Sequence, residues 1–220
     1  VKTGGGTLVL ASSNSFAGGT SITEGKIFLA SDTANVAGLG NGLITLNGGT
    51  LTMSDNVDTT SWATSSWAIH VPSGSSGRLN SGGRCYLTGA LTGGGDFTFY
   101  TSYVRTELLG NWSAFTGRIF VIADSDGGDF RYQGSLGYPS AHLDLGANVY
   151  AYYNKTMSGN LTVPIGHLTG NALAPGPPAR EVKLPGHRWR ACTFSLAHHS
   201  SSTGYDCASL VVGQYNCGVK

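Results

Sequence analysis

Gly5-Gly6-Thr7-Leu8-Val9-Leu10 returns as Gly48-Gly49-Thr50-Leu51-Thr52-Met53, as Gly94-Gly95-Asp96-Phe97-Thr98-Phe99 and as Gly127-Gly128-Asp129-Phe130-Arg131-Tyr132. Each copy is a glycine turn, a small polar residue and a short strand with apolar residues at alternate positions. The starts lie 43, 46 and 33 residues apart (48 − 5, 94 − 48, 127 − 94). Recurrence at such periods marks a solenoid, in which each unit buries its apolar face only against its neighbours. Because the units are strands, the expected architecture is all-β, a parallel β-helix of roughly 20–25 residues per coil. Such a scaffold presents long, flat, rigid faces suited to an extended polymer.

Outward from these copies, Lys26–Leu29 and Leu43–Leu46 read as further strands. Their inward sets are aliphatic: Ile27 with Leu29, Ile44 with Leu46, Leu51 with Met53. Strict alternation makes one face core and the other the wet outer surface. Later strands are expected at Ala68–Val71, Cys85–Leu87, Asp96–Tyr100, Arg105–Leu108, Arg118–Ile122, Asp129–Gln133, His142–Leu145, Val149–Tyr153 and Asn160–Val163. No segment shows a helical period.

Composition narrows the class. Glycine is abundant, at 34 of 220 residues, but lacks the every-third-residue spacing of collagen. Charged residues make up 11% and hydrophobic ones 40%, a balance that excludes disorder. The net charge is +1 without a basic run, so no nucleic-acid partner is expected. No apolar run reaches the length of a membrane span, and no membrane partner is expected. The chain opens on a repeat unit at Val1 without a signal peptide, which suggests a module from a longer secreted protein.

Residues 1–171 are read as coils and 172–220 as a Pro-rich linker and cysteine-containing C-terminal cap of the same domain. Pro175, Pro177, Pro178 and Pro185 cluster there, with Cys192, Cys207 and Cys217. With Cys85, four cysteines permit two disulfides in three connectivities, or stay free thiols.

The opening Lys2–Leu10, with Asn14–Thr20 and Gly42–Leu51, resembles the autotransporter-associated β-strand repeat; Leu91–Gly95 with Leu109–Gly117 resembles a degenerate second copy. The resemblance implies a right-handed parallel β-helix in a secreted or cell-surface bacterial protein, and no reaction. Stand-alone modules of this build also resemble β-helical xylan-binding carbohydrate-binding modules, of which no functional residue carries over here by motif.

Catalysis is not expected. Glycan hydrolysis on a β-helix needs carboxylates converging on the scissile bond. Only 12 Asp and Glu occur, and the pectin-hydrolase motifs are absent. Asp124-Ser125-Asp126-Gly127-Gly128-Asp129 has oxygen ligands for calcium but lacks EF-hand spacing. It reads as a polar turn, and no cofactor is expected.

The aromatics carry the functional signal. Trp62 and Trp67 fall in a polar loop, where exposure is expected. Tyr100 takes an outward position if Phe97 and Phe99 point inward, and Tyr103 and Trp112 flank the next strand. A flat ring stacks on the C–H face of a pyranose. Arg105 and Glu107 alternate with Val104, Thr106 and Leu108, and are expected to point outward and bind hydroxyls. The ligand-binding candidates are therefore Trp62, Trp67, Tyr100, Tyr103, Arg105, Glu107 and Trp112. The expected function is a non-catalytic carbohydrate-binding module for a plant cell-wall β-glycan, xylan first, monomeric within a larger multimodular enzyme. The alternatives are an adhesin passenger segment and, less favoured, a β-helix lyase or hydrolase.

Overall fold

The computed structural model is a parallel β-helix with almost no helix. It describes residues 1–54, 63–81, 85–101, 106–125, 127–132, 138–153 and 161–170, with short strands at 183–184, 187–188 and 209–212. Among the described residues, three sheets run along the helix: a long one of nine strands and two short ones of four and five.

One circuit shows the plan. The chain leaves the long sheet at Thr50–Met53, crosses the five-stranded sheet at Ala63–Ser65 and the four-stranded sheet at Ile69–Val71, and re-enters the long sheet at Ser76–Ser81. The next circuit passes Cys85–Leu87, Leu91–Gly93 and Asp96–Thr101. Register is kept: Thr50 pairs with Arg78 and Arg78 with Thr98, all in parallel. Circuits differ in length, from 19 residues (Thr7 to Lys26, 26 − 7) to 28 (Thr50 to Arg78, 78 − 50). The register survives these differences in length.

Alternation builds the core. Leu51, Leu79, Phe99 and Val121 are register partners, and all are 1% exposed or less. Burying such a side chain is worth about 1.5–3 kcal/mol. Phe99 meets Phe130 edge-on across the interior at 5.7 Å. Phe97 likewise meets Phe115 at 6.4 Å and Trp112 at 5.9 Å. Leu8 belongs to the same inward column but is 44% exposed, on the first strand of the sheet among the described residues.

The paired glycines have a steric reason. The N–H of Gly49 donates to the Ile22 carbonyl, and that of Gly95 to the Val71 carbonyl, both at 3.2 Å. The two corners lean on the preceding circuit in the same way. A Cβ on Gly49 would lie 2.3 Å from Ile22 Cγ2, and one on Gly95 would lie 2.3 Å from the Pro72 carbonyl oxygen.

Three features depart from the sequence reading. The first three glycine copies lead into the long sheet, but the third enters it two residues early, since Arg78 pairs with Thr98 and not with Asp96. The fourth leads into Gly128–Tyr132 of the five-stranded sheet. Its 33-residue spacing is therefore not a whole number of circuits. Ser76–Ser81 is a strand that no expectation covered, because Ser, Gly, Arg and Asn dominate it. Asp32–Ala37 is a short helix, where the circuit would otherwise place a strand of the five-stranded sheet. Six residues are too few to display a 3.6-residue period. Ser31 caps the helix by accepting the Ala34 N–H at 3.1 Å. Asn35, 1% exposed, clamps Ser54 through three hydrogen bonds of 2.9–3.3 Å, and its carbonyl accepts from Ser65 Oγ. The helix thereby packs against Ala63–Ser65, the edge strand of the five-stranded sheet. Covering an edge removes a template for unwanted strand pairing.

The last parallel strand of the long sheet is Leu161–Gly170, and Ser209–Val212 adds to it antiparallel. Lys183–Leu184 pairs antiparallel with His187–Arg188. The rest of the expected linker and cap, with Cys192, Cys207 and Cys217, lies outside the described residues.

Candidate functional site

The outer face of the long sheet is the surface on which exposed side chains line up. On a parallel sheet, register partners stack directly, so outward residues form columns along the solenoid axis. One column runs Lys26, Thr50, Arg78, Thr98 and Phe120; its neighbour runs Phe28, Thr52, Asn80, Tyr100 and Ile122. These residues are half-buried, alternating with fully buried core residues.

The columns are cross-linked. Arg78 Nε donates to Asn80 Oδ1 at 2.6 Å, and Asn80 Nδ2 donates to Thr52 Oγ1 at 3.2 Å. The Arg78 guanidinium stands 5.6 Å from the Tyr100 ring centroid. The Tyr100 hydroxyl donates to Asp124 Oδ2 at 2.8 Å. A free arginine carries about 2 kcal/mol of rotamer entropy, and this fixation removes part of it before any ligand arrives. Further along, Arg118 lies 4.6 Å over the Phe120 ring and 4.0 Å from Asp144 Oδ2.

Of the sequence-derived candidates, Tyr100 stands on this face. Trp67 and Trp112 do not: they are 7% and 3% exposed and belong to the core. The expectation that both are exposed is corrected. Trp67 occupies a corner directly above Gly89, where an added Cβ would lie 1.7 Å from the Trp67 carbonyl oxygen. Trp112 packs edge-on against Phe97. A circuit of short strands leaves large gaps at its corners, and an indole fills one. The signal was present: Trp67, Ile69 and Val71 are alternate residues, so the inward set of that strand extends back to Trp67. Glu107 occupies the alternate position to inward Leu108, as expected, but at 5% exposure it is covered and offers no open surface. Its register partners are Tyr86 and Arg131. Trp62, Tyr103 and Arg105 lie outside the described residues.

Arg78 and Asn80 were missed because no strand was read there, although Gly77-Arg78-Leu79-Asn80-Ser81 alternates. In the Asp124 turn, the Gly127 N–H donates to the Asp124 carbonyl at 3.2 Å and the Asp124 carboxylate accepts from Tyr100. Among the described residues, no three His, Cys, Asp or Glu come together as a metal set.

Parallel strands wound on an apolar interior, with ordered columns outside, define a β-solenoid repeat protein. Residues 1–27 match the family described as passenger-associated-transport-repeat, which supports an autotransporter-associated β-repeat over that stretch. The chain is also 31% identical, over 137 residues, to an autotransporter adhesin, BmaC, of Brucella suis biovar 1 (strain 1330). The alignment covers 62% of this chain and 4% of that relative. No solved structure matches.

Proposed function

We propose that this chain is a segment of a secreted or cell-surface bacterial passenger and that its work is adhesive rather than catalytic. The observation that carries this reading is the coincidence of family match and structure. The matched residues 1–27 span one circuit, from the Lys2–Ile22 bridge and the Thr7–Leu10 strand into Lys26–Leu29. A solenoid of this kind adds surface with every circuit while the core chemistry stays constant. The adhesin relative supports the same reading over a longer stretch.

A xylan-binding module attached to an enzyme is the weaker reading. It rested on a resemblance and on five aromatics, two of which, Trp67 and Trp112, are buried in the core. What favours it is the pair Phe28 and Tyr100, two half-buried rings on one outward column.

Beads coated with the purified chain should attach to cell monolayers and to surface-coating glycans above beads coated with an unrelated β-solenoid. Attachment no better than that control would defeat the adhesive reading. Selective retention on insoluble xylan alone would restore the carbohydrate-module reading.

A further inference from the structure

We propose that the outer face of the long sheet, from the Lys26–Leu29 strand to the Asp96–Thr101 strand, binds a linear acidic polysaccharide through Arg78 and Lys26. This names a ligand class for the adhesive reading and rests on it.

Charge comes first. The four strands Thr7–Leu10, Lys26–Leu29, Thr50–Met53 and Ser76–Ser81 carry Lys26 and Arg78 and no Asp or Glu. Neither cation has an acidic partner among the described residues, whereas Arg118 has Asp144. Arg78 uses Nε on Asn80, which turns the guanidinium and leaves its two terminal nitrogens for a planar anion. The acids around the column are Asp96, exposed beside Ser76; Asp124, which accepts from Tyr100; and Asp144, which continues the column three rungs beyond Arg78 and lies beside Arg118.

Spacing comes second. Lys26 and Arg78 are two rungs apart in one column, with Thr50 between them and Thr98 beyond. Two rungs of a sheet span about 9.5 Å. A pyranose in a β-linked chain advances by a length close to one rung of ~4.8 Å. A glycan lying along the axis, with an acid on every second sugar, meets a cation in step and a threonine hydroxyl between. An extended peptide does not keep step, because its same-face side chains recur every ~6.8 Å. The adjacent column supplies rings at both ends, Phe28 and Tyr100, with Thr52 and Asn80 between them for hydroxyls. Flat, partly exposed rings suit the C–H faces of sugars.

The test is calorimetric titration of the full chain with four probes. Hyaluronan carries a carboxylate on alternate sugars, heparin adds sulfates, xylan is neutral and poly-glutamate is an acidic peptide. Hyaluronan or heparin should bind, the better of the two showing whether carboxylate or sulfate is the preferred anion, and raised salt should weaken the binding. R78Q should weaken binding about tenfold or more, the size of a lost charge-assisted hydrogen bond. R78K should recover part of it, and K26Q should cost less than R78Q. Melting temperatures should stay within about 4 °C of the native value, because both side chains lie outside the core. Unchanged affinity in R78Q, equal binding of xylan, or equal binding of poly-glutamate would overturn the proposal. If no acidic glycan binds while coated beads still attach to cells, this inference fails and the adhesive reading stands. If neither occurs, both fail.

Discussion

Replacing Trp112 with alanine separates a structural aromatic from a binding one. Trp112 is 3% exposed and meets Phe97 edge-on at 5.9 Å, and Phe97 in turn meets Phe115. Truncation removes nearly the whole indole from a buried position and leaves a cavity against the Phe97 ring. Such a change costs about 3–5 kcal/mol, transfer and cavity terms together. Loss of the edge-to-face pair accounts for about 0.5–1.5 kcal/mol of that total. Against a typical total stability of 5–15 kcal/mol, roughly a third is lost. With a urea m-value near the upper end of ~1–3 kcal/mol/M, the midpoint should fall by more than about 1 M. The assay is urea unfolding followed by far-ultraviolet circular dichroism, with Tyr100→Ala measured beside it. Tyr100 contributes a surface hydrogen bond to Asp124 and an exposed contact with Arg78, so its truncation should cost about 1 kcal/mol or less. Equal, small shifts for both variants would refute the assignment of Trp112 to the core and return it to the candidate binding residues.

Gly95→Ala should destabilise the fold by more than the usual benefit of removing a glycine, because the new methyl would lie 2.3 Å from the Pro72 carbonyl oxygen and a corner would have to shift; an unchanged melting temperature would contradict the corner geometry. Asn35→Ala should cost about 1–3 kcal/mol, since it leaves the backbone N–H of Ser54 without its partner and loosens the helix from the sheet edge. Increased hydrogen exchange confined to residues 32–37 and 63–65 is the expected signature, and uniform exchange across the chain would count against the helix as a local clamp.

The fold was legible because a solenoid writes its packing rule into the sequence many times. Leu51, Phe99 and Val121 differ in size and share one column, so alternation alone located them. What escaped was whatever the rule does not govern. The Asp32–Ala37 helix is held by Ser31 and Asn35 rather than by a period, and polar caps leave no periodic trace. The Ser76–Ser81 strand carries Gly77 inward, where an added Cβ would lie 2.4 Å from Leu46 Cβ, so its apolar signal is nearly blank. The candidate site was legible only at Tyr100. Trp67 and Trp112 misled because a tryptophan beside Ser and Asn looks exposed, while a corner needs a large ring to fill it.

The same separation of tasks explains why the outer columns are the place to look for recognition. An inward position is answerable to the rungs above and below it, and one wrong size opens a cavity or forces a corner. An outward position is answerable only to its column neighbours, and their mutual contacts cost or contribute about 1 kcal/mol. Lys26 or Arg78 could be replaced by threonine, as at Thr50 and Thr98 in the same column, without disturbing the core. Two cations two rungs apart, on strands that carry no acid, are therefore not explained by folding. Folding likewise does not require Arg78 to be held by Asn80, and Asn80 by Thr52, before anything binds. Such fixation restrains a side chain that would otherwise be free, so that less ordering cost remains when a ligand meets a guanidinium already in place.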